Sequence, residues 1–487
     1  MEPFTITLGF IPSYRPFGER PIAEWPAWLR EEAIAVVGKI PHVKLIFPLE
    51  CSVDPTAMDA EKGYTPYGAV CNLDQVEIVT EYFARQKIDG LLIGALDFGD
   101  ERSSAKIAEK LGVPVMLYAT KEPPAVNDAS LARVSDSYCG TLSIASALYR
   151  RKIPFYFGGL FFHDEPGFSQ AIEVFIKAVS VVKGLKGARI GQVGVRPASF
   201  ETVGYDETAL IRKFKQNVVF VDLSEIVGQA QKLTDDDPQV IEIINQVRSE
   251  VKQFSIADEW FTKEAKLELV LERFAKRNLL SAMGMQCWPA IQQSYGISTC
   301  ALFGRLTSKG ILTACEVDII GALSMLVQFR AALGMTVPHF IDWTIQHREK
   351  DNCFLAWHCG NAPVCLANNP DHTALRSRWD MMGLYQSNTK DTQAGLYQFQ
   401  LKPGKVTFCR LQEYDDRWKM LITSGEIIPS QEILAGTWSW VEVADHQKLY
   451  RTLVEEGFVH HASMIHGDYT EALKLACKFL DIAPVVI

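Results

Sequence analysis

The chain has 487 residues, 48% hydrophobic and 22% charged, an ordinary composition for a soluble globular protein with enough length for roughly two to four domains. Its formal charge of −9 is spread along the sequence with no basic block of the kind that tracks phosphates, so nucleic acid is not expected as a partner. The opening "MEPFTITLGFIPSYRPFGER" lacks a basic segment followed by a long apolar one, and no window of about 18 apolar residues occurs, so a cytoplasmic protein without membrane attachment is expected.

Along the first third, the short apolar runs "FTITLGFIP", "HVKLIFPLE", "IDGLLIGALD", "VPVMLYAT" and "IPFYFGGLFF" alternate with amphipathic stretches such as "QVEIVTEYFARQK" and "SSAKIAEKLG". This alternation predicts βαβ units and a parallel sheet over residues 1–168. A second series follows: the helical "SQAIEVFIKAVSVVKG", the strand "ARIGQVGV", the helix "DETALIRKFKQ" and the strand "NVVFVDL". After the acidic, helix-rich "LTDDDPQVIEIINQVRSEVKQF" it resumes through "LLSAMGMQCW", "GILTACEV" and "VPHFIDW", giving a second α/β domain over 169–348. From 349 to 487 the texture becomes short strands and turns, with "KPGK" and "TSGE" as turn signals. A small antiparallel sheet or β-barrel closed by the helix "DYTEALKLACKFLDI" is expected there. The eleven cysteines are scattered and never form a CxxC pair, which argues against a disulfide framework or a thiolate zinc site.

The stretch "ILTACEVDIIGALSM" poses the functional question. Glu316 falls at the carboxyl end of a buried strand, where open α/β sheets bind ligands, and Asp318 falls at the N-cap of the following helix. The next strand, "VPHFIDW", ends in Asp342, and a right-handed crossover between neighbouring strands brings the two acids to one sheet edge. Carboxylates that close need a proton or a cation between them, and a divalent metal is the usual resolution; solvated or ion-paired acids are the alternative. Histidine offers a third ligand: His460, His461 and His466 in "VHHASMIHGDY", or His358 in "LAWHCGNAP". Successive residues of a strand face opposite ways, so one of the HH pair at most is expected to face the site. There is no HExxH, GxSxG, Walker loop or GxGxxG, and "GLLIGALDFGDE" has the wrong glycine spacing for a nucleotide.

Taken together, "CALFGRLTSKGILTACEVDIIGALSM", "FIDW", "WHCGNAP", "KPGKVTF" and "HHASMIHGDYTEALKLACKFLDI" resemble the L-fucose isomerase and L-arabinose isomerase superfamily, in its shorter fucose-isomerase-like branch. The resemblance spans about residues 280–487 and is thin in motif before that. It implies two Rossmann-like parallel-sheet domains followed by a small β-barrel domain, and a divalent cation, Mn2+ or another such as Mg2+ or Co2+, held by Glu316, Asp342 and His461. The choice of His461 over His460 follows from aligning the HH pair with Gly467 and the helix after it. The implied reaction is aldose–ketose isomerisation through a cis-enediol, with Glu316 and Asp342 sharing ligation and proton transfer between the two carbons.

Substrate contacts implied by the same resemblance are His358, which remains open as a metal ligand, Asn361 of the same motif, and Gln286 of "MGMQCWPAI". Trp288 offers a sugar an apolar face, or belongs to the core. Arg196 is a candidate for a hydroxyl or an acidic sugar substituent, with a surface or interdomain salt bridge as the bland reading, and Arg15 matches an Arg-Pro motif whose register departs from the family's. A small-molecule sugar is the expected partner, and a homo-oligomer, trimer or hexamer, with shared active sites is implied. The rival readings are a sugar-binding or regulatory protein of the same fold, and a metal-dependent hydrolase or aldolase.

Overall fold

The computed structural model describes residues 2–15, 27–51, 58–59, 61–121, 135–377 and 394–487. Two compact units emerge, one comprising Pro3–Lys183 with Lys478–Leu480, the other Gly184–Cys477 with Asp481–Ile487. Among the described residues no helix is long and apolar enough to cross a membrane.

The first unit holds a five-stranded parallel sheet in the order Val43–Ile46, Ile6–Ser13, Gly90–Ala95, Val115–Thr120, Phe155–Phe161. Gly90–Ala95 and Val115–Thr120 are buried at every residue, as central strands covered on both faces must be, which is why they read as continuous apolar runs. Between them runs the helix Glu101–Leu111, started by the Asp100 side chain, which accepts from Ser103 N, and stopped by Gly112 at φ 61°.

The second unit contains a four-stranded parallel sheet in the order Leu312–Cys315, Ala282–Met285, Arg189–Val193, Asn217–Val221, and a ten-stranded mixed sheet. The α/β expectation for both series is met. The C-terminal strands belong to this large mixed sheet, within which Thr437–Val443, Cys353–His358, His339–Gln346, His461–His466, Gly404–Tyr414 and Arg417–Ile427 pair antiparallel in succession and the last pairs back on the first; the longest pairing is the hairpin of Gly404–Tyr414 with Arg417–Ile427. That hairpin corrects one turn reading: "TSGE" lies inside its second strand, and the turn is made by Asp415 and Asp416, both at positive φ (54° and 63°). Acids tolerate this two-residue turn well enough for the strands' alternation to override the Ser-Gly signal.

A second correction concerns the crossover. The strand His339–Gln346, carrying Asp342, does not join Leu312–Cys315; it pairs antiparallel with Cys353–His358 and His461–His466 in the mixed sheet. The reason lies in the intervening helix Ile319–Ala331, in which every residue but Arg330 is buried. A helix apolar on all sides must be covered on all sides. It packs on Ala282–Met285 and Leu312–Cys315 on one side and on Gly404–Tyr414 and His461–His466 on the other, so the chain emerging from it enters the far layer. Its buried polar residues pin the two layers: Gln328 Nε2 donates to Thr407 O at 2.7 Å, Gln328 Oε1 accepts from Ser463 Oγ at 2.7 Å, and Ser324 Oγ accepts from Leu411 N at 2.9 Å.

Behind the parallel sheet, Glu264, Glu268 and Arg305 form a buried charge cluster. Burial and the neighbouring Glu268 charge push the Glu264 carboxyl well above its ordinary 4.5, so it is neutral where Glu268, paired with Arg305 and Lys309, is ionised. A raised folded-state pKa contributes stability that is complete below the unfolded value and lost as pH rises. Glu264→Gln is therefore expected to gain in melting temperature relative to wild type progressively above pH 4.5, while Glu268→Gln costs of order 3 kcal/mol at neutral pH. Thermal denaturation of both variants across pH checks this.

Candidate functional site

The site is assembled where the Leu312–Cys315 strand ends. Glu316 and Val317 both adopt left-handed backbone, φ 61° and 58°, which for a β-branched residue is a strained conformation. The turn passes tightly over the neighbouring strand: a Cβ on Gly284 would stand 3.0 Å from the Val317 backbone, a close approach that favours glycine there. The strain reverses the chain within two residues, so that Glu316 projects from the sheet edge and Asp318 begins the buried helix.

Asp318 caps that helix, its Oδ1 accepting from Gly321 N at 2.7 Å. It does far more than cap. The same carboxylate is 0% exposed and takes Arg410 Nη1 at 2.5 Å and Nη2 at 3.2 Å, while its Oδ2 accepts from His461 Nδ1 at 2.9 Å. Burial works against its charge, and the Arg410 and His461 partners outweigh it, holding Asp318 far below the usual carboxylate range. Arg410 was not foreseen from sequence; the available signal was a lone arginine in "KVTFCRLQ", a strand buried at both neighbours of that position.

With Nδ1 committed to Asp318, His461 turns Nε2 toward the acids, 3.0 Å from Glu316 Oε2 and 3.5 Å from Asp342 Oδ1. Strand register produces the second approach, since Asp342 and His461 are direct cross-strand partners. Trp288 Nε1 donates to Glu316 Oε1 at 2.8 Å and so orients the carboxylate. Glu316 is held below its usual range despite burial by the closeness of His461. His460 does not point away, as strand alternation predicted: it precedes the strand, is exposed, and its ring centroid lies 4.1 Å from that of His461 and 5.7 Å from Phe200.

Residues 51–186 match the family described as fucose/sulfoquinovose isomerase, N-terminal domain, and residues 356–487 match the L-fucose isomerase C-terminal domain. The chain belongs to the fucose isomerase family. It is accordingly a sugar isomerase of the aldose–ketose type. The sulfoquinovose isomerase of Priestia aryabhattai is 27% identical over 411 residues, covering 84% of this chain and 87% of that protein. The sulfoquinovose isomerase of Alkalicoccus urumqiensis is 25% identical over 403 residues, 82% and 86% of the two chains. Among solved structures, a periplasmic solute-binding protein from Actinobacillus succinogenes with bound D-allose aligns at 11% identity with a TM-score of 0.16, over 68% of this chain and 92% of that one, too slight a likeness to bear on the fold.

In this isomerase two buried polar atoms near His461 lack a hydrogen-bond partner, Asp342 Oδ1 and His358 Nε2, while Glu316 Oε2 has His461 Nε2 as its neighbour at 3.0 Å. Such atoms are costly unless something completes them. Asp342, His358 and His461 can bring ligand atoms within 4.8 Å of one another, as can Glu316, His460 and His461. Carboxylate oxygens with one imidazole are the donor set of a hard divalent cation such as manganese or magnesium. His358 differs from His461 in its proton: its Nδ1 accepts from Cys359 N at 2.9 Å, which leaves the proton of the neutral ring on Nε2, 3.9 Å from Asp342 Oδ1. Burial keeps the ring neutral by lowering its pKa. It therefore faces the site as a donor.

The other expected contacts are placed unevenly. Gln286 lies at the edge with its Oε1 accepting from Val195 N at 3.2 Å. Arg196 is exposed beside a cavity that Val317 also lines. Asn361 is 4% exposed and uses its amide internally, on His339 at 3.1 Å and on the Cys315 sulfur at 3.7 Å. Arg15 belongs to the first unit, where it pairs with Glu101 at 3.7 Å and lies over the Phe98 ring; Pro16 beside it is outside the described residues.

In metal-free protein, burial alone lowers the His461 pKa, but the Asp318 and Glu316 partners raise it from 6.5 to about 9. The stabilisation it provides is complete below 6.5 and lost as pH rises through about 9. Long-range 1H–15N NMR is expected to show His461 titrating near 9, and Asp318→Asn to move that titration down by about a unit or more, with a flatter loss of melting temperature on the alkaline side.

Proposed function

We propose that the isomerase moves a proton between C1 and C2 of an aldohexose through a cis-enediol, with a divalent cation, manganese or magnesium, held by Glu316, Asp342 and His461. The observation that carries this is the convergence of Glu316 Oε2 and Asp342 Oδ1 on the His461 Nε2 that Asp318 aims. When bound, the cation supplies charge stabilisation for the developing enediolate and a fixed seat for two adjacent sugar oxygens.

The residues divide the remaining work. Trp288 holds one oxygen of Glu316 and leaves Oε2 directed at the reacting carbons, as a carboxylate kept ionised. Asp342, at the start of the exposed end of its strand, presents Oδ1 from the other side. Two carboxylates flanking a planar cis-enediol can take the proton from one carbon and return it to the next. His358 Nε2–H, neutral and buried, is placed to donate to a sugar oxygen. The substrate is read as a sulfonated aldohexose, the class named in the relatives "Sulfoquinovose isomerase".

Incubation in deuterated water with manganese is expected to wash label into C2 of the aldose, with chelation abolishing exchange and Glu316→Gln lowering kcat by about 10²–10⁴-fold. Exchange undiminished by chelation and by the substitution would sink the assignment. Asp318→Asn is expected to weaken manganese binding about 10–100-fold in calorimetry, because the histidine loses the group that orients it.

A further inference from the structure

At the carboxyl edge of the parallel sheet, Cys315, Met285 and Val193 stand opposite one another in three adjacent strands. The residues that follow them, Glu316, Gln286 and Gly194, therefore leave the sheet in a row. Strands lie about 4.8 Å apart, so the loop after Val193 starts roughly 10 Å from Glu316. An open-chain hexose spans roughly 6 Å from C1 to C6, five staggered bonds of about 1.5 Å, and a substituent on C6 reaches further still. A sugar reacting at Glu316 and extending along this row passes Gln286 and ends at the loop that carries Arg196.

That end of the row is a cavity of about 400 Å³ lined by Gln192, Val195, Arg196, Gly204, Tyr205 and Val317. Val317 directly follows Glu316, so the cavity adjoins the reacting end. Its neutral polar groups already serve one another: Tyr205 OH donates to Gln192 Oε1 at 2.7 Å, and Gln192 Nε2 donates to Gly194 O at 3.2 Å. The Oε1 of Gln286 is taken by Val195 N, which leaves its amide nitrogen for a hydroxyl. The guanidinium of Arg196 is different. It makes one long contact, Nη1 to Glu201 O at 3.5 Å, and has no carboxylate partner among the described residues. Asp206, the nearest acid of the loop in sequence to Gly204 and Tyr205, is occupied in capping the next helix through Thr208 N and Ala209 N.

We propose that Arg196 is a specificity residue that receives the anionic group at the far end of the sugar, a sulfonate on C6, while C1 and C2 lie at Glu316 and Asp342. The proposal rests on the isomerase reading above and adds to it the place and partner of the charged tail. A planar guanidinium matches a tetrahedral oxyanion through two parallel N–H donors, which a lysine ammonium does not reproduce. The bland alternative read from sequence, a salt bridge for Arg196, lacks its acid.

The test compares a 6-sulfonated aldohexose with its 6-hydroxy and 6-deoxy counterparts in wild type, Arg196→Gln and Arg196→Lys, by kcat/KM with manganese and by calorimetric binding. Wild type is expected to prefer the sulfonated sugar, and Arg196→Gln to cut the ratio of sulfonated to neutral kcat/KM by about 10–100-fold, carried by KM, the size of one or two hydrogen bonds to a charged group. Arg196→Lys is expected to recover part of the ratio, and the wild-type preference to shrink with added salt. A ratio unchanged in Arg196→Gln, or no wild-type preference, overturns the proposal. Should no sugar turn over, binding decides separately: selective binding lost in Arg196→Gln upholds the anion site while the isomerase reading falls, and unselective binding overturns the site as well.

Discussion

A single buried carboxylate, Asp318, is the constraint on which the rest of the second unit depends. It is 0% exposed, and the cost of placing an ion there is met by donors from three separate segments: Gly321 N–H from its own helix, the Arg410 guanidinium from the long hairpin, and His461 Nδ1–H from a strand near the C-terminus. The arrangement fixes the parallel sheet against the mixed sheet at one point, and the same point sets which nitrogen of His461 is free.

Around that anchor, apolar packing and local strain work together. The helix Ile319–Ala331 is surrounded on all sides, and its three polar pins are all satisfied, so it transmits position between layers without leaving an unpaired group behind. At its head the positive φ values of Glu316 and Val317 lie between the Asp318 cap on one side and the close approach of Gly284 on the other. The strained backbone of Glu316 lies beside two buried atoms without a hydrogen-bond partner, Asp342 Oδ1 and His358 Nε2.

The division of labour among the histidines follows from hydrogen bonding to the ring nitrogen remote from the site. Asp318 accepts from Nδ1 of His461 and so turns Nε2 toward Glu316 and Asp342, whereas Cys359 N–H donates to Nδ1 of His358 and so leaves a proton on Nε2. Two rings of the same chemistry, 6.1 Å apart, are thus set in different roles toward the acids by one backbone or carboxylate contact each.

By itself the sequence determined the elements and the chemistry of the pocket. Continuous apolar runs such as "GLLIGA" and "VMLYAT" exist because strands covered on both faces have no polar side, and that local cause is legible without a fold. Glu316 at a strand end, Asp318 at a helix start and the acid–histidine inventory were legible for the same reason, since caps and strand ends are set by nearest neighbours. What only the tertiary structure decided was who meets whom. Asp342 reaches Glu316 through cross-strand pairing with His461 and not through a parallel crossover, because a helix buried all round sends the chain into another layer. Arg410 joins Asp318 from 92 residues away, and His460 shares a side with His461 because the strand begins one residue later than the HH pair. Hydrophobic periodicity carries the burial of each element but not its neighbour, and a buried ion pair is specified by the space that two layers enclose, which no local pattern encodes.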